Sequence, residues 1–261
     1  MKIGQVISAS WARFGLGLAV LAAFTAVASG TGTRFGLWTF RTGFAVLATG
    51  VIIAAIAVMV SIGGVAAAGR AKTGFPLAQA LLGLALGIAT AALPAWQFQI
   101  ARSVPAIHDV TTDAQNPPAF VALAADRAAS PNGIDYGGSE VAAAQEAAYP
   151  DIKPLRLSMS PAQVFDAALA IARGMGWDIA AADPGEGRIE ATATTLWFGF
   201  KDDIVIRVRP DASGTHLDIR SASRVGKSDV GANSRRIRAF LAKVETRLPG
   251  PTLHGGQSPG Y

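Results

Sequence analysis

The sequence predicts a chain of two unlike parts. Residues 1–104 form a membrane region of three helices. Residues 159–248 form an α+β domain, a four-stranded antiparallel sheet with two helices on one face in the order α-β-β-β-β-α. Three observations predict this. Three long apolar runs follow one another from the N-terminus, all 18 acidic residues lie at or after Asp109, and the later part alternates apolar and polar residues between two stretches of helical period.

The apolar runs are residues 14–29, 44–65 and 77–100. A helix needs about 20 apolar residues to cross roughly 30 Å of hydrocarbon. The second and third runs meet that length with no charge inside, and the first is near the lower limit. Trp11, Trp38 and Trp96 stand at or near the run ends, where interfacial aromatics collect. The first run is read as a retained span; the other reading is a signal peptide cleaved at Ala26-Val27-Ala28. Gly83, Gly87 and Ala91 make a small-residue ridge suited to packing on the second span. No acid or His lies within a span, which argues against a proton-coupled transporter.

The charge balance follows the same division. Lys2, Arg13, Arg34, Arg41, Arg70, Lys72 and Arg102 precede Asp109 with no acid among them, so the net charge of +5 originates in the flanks of the spans. The remainder is slightly acidic, and nucleic acid is not an expected partner. Lys2, Arg13, Arg70 and Lys72 on one side against Arg34, Arg41 and Arg102 on the other bias the C-terminal domain outward. The chain has no cysteine, which excludes disulfides, Cys-ligated metal and thiol nucleophiles.

Residues 105–158 read as an extended linker that wraps the domain, broken by Asn116-Pro117-Pro118, Pro131-Asn132-Gly133 and Tyr149-Pro150, with a short helix over Glu140–Ala148. His108, Asp109 and Asp113 hint at metal ligands, but no second ligand pair accompanies them, and neither a metal nor a cofactor is expected. Ser160-Pro161-Ala162-Gln163 then opens a helix as a capping box with Pro at the first position. Val164, Phe165, Ala168, Leu169 and Ala172 are its buried stripe, and Gly174 ends it. Four strands follow, over Trp177–Ala182, Arg188–Leu196, Asp203–Arg209 and Thr215–Ser221. Their polar side, with Glu190, Arg207, Arg209, His216, Asp218 and Arg220, is expected to face solvent as cross-strand ion pairs. The closing helix buries Ile237, Phe240, Leu241, Val244 and Leu248, and residues 249–261 are expected to be a disordered tail.

Two segments stand out as candidate binding surface. One runs from the last strand into the last helix and holds Arg220, Ser221, Ser223, Arg224, Lys227, Asp229, Asn233 and Arg236. A helix N-terminus beside several basic residues attracts an anion; equally, the arginines can pair with Asp202, Asp203 and Asp218. Gly226-Lys227-Ser228 is no phosphate loop, because the glycine required five positions before the Gly-Lys pair is Ser221. The other segment is Trp197-Phe198-Gly199-Phe200, whose aromatics either fold onto the core or form a patch for a protein or membrane. A hydrolytic set of Ser221, Ser223 or Ser228 with His216 lacks a nucleophile elbow, and no catalytic residue is assigned.

Tyr149-Pro150-Asp151-Ile152, Trp197-Phe198-Gly199-Phe200-Lys201-Asp202-Asp203 and Arg220-Ser221-Ala222-Ser223-Arg224-Val225-Gly226, with Asp229, Gly231, Asn233, Arg236 and Ile237, resemble the DUF1499 family. The likeness covers roughly residues 108–245, and the three-span leader resembles that of proteobacterial members. It implies the domain and no activity. Plant members are associated with the thylakoid lumen, topologically external, which agrees with an outward C-terminal domain. The expected function is therefore a bacterial inner-membrane protein presenting a periplasmic module that binds a protein or envelope component. The alternative is a domain for an anionic small ligand or lipid headgroup.

Overall fold

The structure, a computed structural model, describes residues 3–212 and 214–248. The predicted tail, 249–261, lies outside the described residues. The chain divides into two compact units, one of Met1–Gln99 with Thr195–Gly199 and one of Ile100–Thr194 with Phe200–Tyr261.

The helical unit contains α1 (Ile3–Arg34), α2 (Phe40–Ala71) and α3 (Gly74–Ser103), the last running on to the start of the second unit. All three are long and apolar enough to cross a membrane, as expected of an integral membrane protein. Thr39 caps α2 through its side chain, and Lys72, left-handed at φ 52°, closes it. Helix α1 passes through Ala26–Ala28 without a break.

The α1–α2 hairpin is built on small residues at heptad spacing. Helix α1 buries Ser8, Ala12, Gly15, Ala19, Ala22, Ala26 and Ser29, and α2 buries Gly43, Gly50, Ala54, Ala57, Ser61, Gly64 and Ala68. Alternating steps of four and three keep a seam on one side of each helix, the pattern of a left-handed pair. Without large side chains between them, the backbones themselves touch. A Cβ on Gly50 would stand 3.1 Å from the Ala26 nitrogen and 3.3 Å from the Ala22 carbonyl oxygen. In lipid, association depends on such close packing, because hydrocarbon supplies no hydrophobic drive between helices. The ridge on α3 meets both partners: Gly87 faces Val58 and Ala54 of α2, and Gly83 faces Ser61 of α2 together with the backbone of Leu16 in α1.

Thr195–Gly199 belongs to this unit. Arg34 Nη1 donates to the carbonyls of Thr195 (2.8 Å) and Leu196 (2.9 Å), and Trp197 Nε1 donates to that of Val27 (3.2 Å). Gly30 leaves the space that the Trp197 ring occupies, and Phe198 is buried 5.1 Å from the Phe44 ring.

The α+β unit contains β1 (Asp109–Thr111), α4 (Ala124–Ala128), α5 (Gly138–Ala148), β2 (Leu155–Leu157), α6 (Pro161–Gly174), β3 (Asp178–Asp183), β4 (Arg188–Thr194), β5 (Lys201–Asp211), β6 (Gly214–Ser223) and α7 (Ala232–Arg247). The sheet is antiparallel with six strands, not the four predicted, in the order β1-β6-β5-β4-β3, and β2 also pairs with β6. Both additional strands come from the stretch read as linker. Three residues each are too few for alternation to be visible, and they exist because the outer edge of β6 offers backbone partners: Leu155–Leu157 beside Thr215–Leu217, and Asp109–Thr111 beside Arg220–Ala222.

One sheet face is the main core. Ile189, Ala191, Ile204, Ile206, Val208, Leu217 and Ile219 pack beneath Val164, Phe165, Ala168, Ile171 and Ala172 of α6 and Ile237, Phe240 and Val244 of α7. Trp177 stacks on Phe240 at 5.6 Å. The capping box is present: Ser160 Oγ accepts from the Gln163 N–H, and the Ser160 N–H donates to the Gln163 side chain.

The second face departs from expectation. It is covered, not solvated: Glu190, Asp203 and Asp218 are fully buried and Arg220 nearly so. Residues from the former linker lie over it, with Phe120 and Leu123 forming a second small core against Val205 and Ala222. Charged side chains at period two look alike whether water or protein lies above them, so sequence could not separate the two cases.

Candidate functional site

The covered face holds a chain of buried ion pairs, and the predicted binding residues join it from the β6 end. Glu190 starts the series on β4. Its carboxylate accepts the backbone N–H groups of Val121, Ala122 and Leu123, each at 2.9 Å, just before α4. These three successive amides form the turn that leads into α4, the last of them on its N-cap Leu123, so the strand carboxylate caps the entry to that helix from another part of the chain.

Asp203 on β5 is the hub. It accepts from Arg127 Nη1 (3.1 Å), from the Thr192 hydroxyl (2.8 Å) and from Arg224 Nε (2.9 Å). Arg127, on α4, is wholly buried. Its Nη1 also donates to the Ala222 carbonyl, its Nε and Nη2 have no hydrogen-bond partner, and its guanidinium lies 4.6 Å from the Phe120 ring centroid. The aromatic face partly compensates those donors. Burial lowers the guanidinium's proton affinity, with Asp203 opposing that effect.

Arg220 is held on every side. It clasps Asp109 through Nε (3.0 Å) and Nη2 (2.7 Å), and donates to the carbonyls of Pro118 and Ile134. Phe120 and Tyr136 flank its guanidinium at 4.9 and 5.7 Å. The Tyr136 hydroxyl is buried without a partner, and desolvation, with the Asp109 charge nearby, raises its pKa to about 12.

Ser221, Ser223, Asn233 and Arg236 meet between β6 and α7. The Ser221 hydroxyl donates to Asn233 Oδ1 (2.7 Å), and Asn233 Nδ2 donates to Ser223 Oγ (3.1 Å) and to the His108 carbonyl (3.0 Å). Arg236 donates to Ser221, Asn233 and Asp202, the last at 2.6 Å. Asp229 accepts the N–H groups of Gly231 (2.8 Å) and Asn233 (2.7 Å). The N-cap is Gly231, in the left-handed region at φ 73°, and Asp229, two residues before it, holds the first turn of α7 through these two amides. Burial raises the Asp229 carboxyl above its ordinary value, with the two amides opposing.

Of the remaining predicted residues, Lys227 is exposed on the loop before α7, Phe200 is half-buried in the α+β unit, and Trp197 belongs to the helical unit. The structure thus divides the segment between the two sheet faces, Arg220 and Arg224 on the covered charged face and Ser221, Ser223, Asn233 and Arg236 between β6 and α7, and their donors meet acceptors inside the fold. Arg224 pairs with Asp203 and Arg236 with Asp202, as the internal-pairing reading has it. Asp218 accepts instead from Arg207 (2.8 Å), Arg209 (2.9 Å) and His216 (3.2 Å), and Arg207 also reaches Asp113 (3.0 Å). The carboxylates of Asp109 and Asp113 are therefore in ion pairs, and the described residues hold no cluster of three or more His, Cys, Asp or Glu suited to a metal ion.

Sequence reading missed Phe120, Arg127, Asn132 and the cap role of Glu190. Asn132 Nδ2 ties the loop to the Ser223 and Gly226 carbonyls. The available signal was Phe120 with Leu123, two large apolar residues in an otherwise Ala- and Pro-rich stretch.

Among curated proteins none matches the chain. A family described as protein of unknown function, DUF1499, matches residues 109–244. Its span starts at the aspartate that clasps Arg220 and ends in the last buried turns of α7. It encloses the whole paired network and the sheet beneath it, and the chain belongs to the DUF1499 family.

Proposed function

We propose that this is a bacterial inner-membrane protein whose periplasmic α+β domain binds a protein or another envelope component and catalyses no reaction. One observation carries the reading. The side chains that could have made a hydrolytic set are apart and already engaged, His216 with Asp218 and Ser221 with Asn233 and Arg236. Side chains fully satisfied inside a fold specify its shape. What the segment leaves outward is the loop that carries Lys227.

Internal pairing also weighs against an anion pocket at this segment. Arg224 and Arg236 are neutralised by Asp203 and Asp202, and Asp229 already occupies the first amides of α7. Phosphorylated ligands are accordingly expected to give no thermal stabilisation that depends on Lys227.

The test uses the full chain in intact cells. A photo-crosslinking residue at position 227 is expected to give a discrete adduct, and the same residue at exposed Asp166 on α6 is not. Lack of an adduct at 227, or labelling by a serine-hydrolase probe that Ser221→Ala abolishes, overturns the reading. A C-terminal alkaline phosphatase fusion, active only outside the cytoplasm, tests the orientation separately.

A further inference from the structure

The helical unit carries a groove that the binding reading of the α+β domain does not use. It lies between α1 and α3, with a volume of about 560 Å³. Ala23 and Ala26 on one helix and Ala89 on the other leave room in its walls, beside Val27, Leu93 and Pro94. The hydroxyls of Thr31 and Thr90, also in the lining, donate back to the carbonyls of Val27 (2.9 Å) and Leu86 (2.8 Å) on their own helices. Apart from its basic end, the groove therefore offers hydrocarbon a surface with its hydroxyls satisfied. At that end stand Trp197 and Arg34.

We infer that the groove holds one acyl chain of an anionic glycerophospholipid, with the lipid phosphate at Arg34. A hollow this size between membrane helices forfeits dispersion contacts unless hydrocarbon fills it, and the bilayer supplies hydrocarbon. Charge complementarity selects the headgroup. Arg34 uses Nη1 on the Thr195 and Leu196 carbonyls, and among the described residues its Nε and Nη2 have no partner. No acidic residue precedes Asp109, so no carboxylate of the three helices competes for that guanidinium. Its planar donor pair matches a phosphate, and Trp197 has the amphipathic ring that settles at headgroup level.

The experiment reconstitutes the full chain in nanodiscs of equal phosphatidylglycerol and phosphatidylcholine with matched acyl chains. Lipids retained after mild detergent extraction are then counted by native mass spectrometry. The expected result is one retained lipid, phosphatidylglycerol favoured about five-fold, the effect of one basic residue near anionic headgroups. Arg34→Gln returns the ratio to that of the bilayer, whereas Arg34→Lys preserves the preference, as does Arg41→Gln at the neighbouring exposed site. Ala23→Leu with Ala89→Leu fills the groove and abolishes retention of both lipids. Equal retention of the two headgroups by the natural sequence, a preference that survives Arg34→Gln, or retention that survives filling overturns the inference. The inference rests on the helices crossing a bilayer, which carbonate extraction reads independently: a protein released by carbonate refutes the membrane assignment itself.

Discussion

Replacing Glu190 by Gln changes almost no volume and asks whether the cover over the second sheet face is held by one carboxylate. Glu190 is fully buried, with Oε1 accepting from Val121 and Ala122 and Oε2 accepting from Leu123. Gln keeps one oxygen, and its best orientation preserves the two bonds at Oε1 at neutral strength. The amide nitrogen then points its hydrogens at the Leu123 N–H, leaving a buried donor unmatched. A hydrogen bond to a charged group contributes about 1.5–3 kcal/mol, and an orphaned buried donor costs about 1–3 kcal/mol. The two remaining bonds also weaken, so the expected loss is about 2–4 kcal/mol. At about 2–4 °C per kcal/mol for a unit of this size, the melting temperature of the α+β unit falls by about 5–15 °C. Trypsin adds a local readout, because Arg127 is sealed beneath the cover until that segment lifts. Glu186→Gln, in an exposed turn, is the control. A Glu190→Gln protein that melts within about 2 °C of the natural one and still resists cleavage at Arg127 would refute the cap and the covered face with it.

Arg220→Met leaves Asp109 buried and unpaired, and is expected to cost about 3–5 kcal/mol; adding Asp109→Leu should recover part of that loss, as denaturant unfolding of both variants would read. If the double variant is as unstable as the sum of the singles, the pair does not act as a unit. Tyr136→Phe removes a buried hydroxyl without a partner and should be neutral or slightly stabilising at pH 7. The raised folded-state pKa of about 12 means that Tyr136 stability is fully present below pH 10 and lost as pH rises through 12. The Phe variant should therefore show a shallower alkaline loss in melting scans, and an unchanged alkaline limb contradicts the assignment. In the helical unit, Gly50→Leu forces a side chain against the Ala22 and Ala26 backbone and should cost about 1–3 kcal/mol. Gly17→Leu, which meets open space, should cost almost nothing; equal melting of the two in detergent would show that the small-residue seam is not the packing surface.

Features decided by nearest neighbours in sequence were readable. Hydropathy marked three helices because an uninterrupted apolar run has few alternatives. Ser160 and Gln163 announced the start of α6 three residues apart. Alternation located β3 to β6 and their core-facing side, because Ile204, Ile206 and Val208 repeat at the pleat period. The heptad of small residues from Ser8 to Ser29 is equally local, a recurrence of Ala, Gly and Ser at steps of four and three.

The site was less accessible, since its partners are far apart along the chain. Arg220 and Asp109 are separated by 111 positions, and Glu190 lies 67 to 69 positions from the amides it caps. Trp197 and Phe200 look like one aromatic motif, yet the first packs in the helical unit and the second belongs to the α+β unit. Propensity and periodicity report which side of a strand is polar, but carry no information about what lies above it.

By itself the sequence determined three membrane-length helices, an acid-free leader, the four longer strands and the helices on their apolar side, because each depends on local composition and period. Only the tertiary structure decided that β1 and β2 complete the sheet, that its charged face is sealed, and that the arginines chosen as candidate ligand groups are spent on aspartates within the fold. The physical reason is that a charge tolerates burial only beside a fitting partner. For Asp109, Asp203 and Glu190 that partner arrives from a distant segment, which folding alone brings into place.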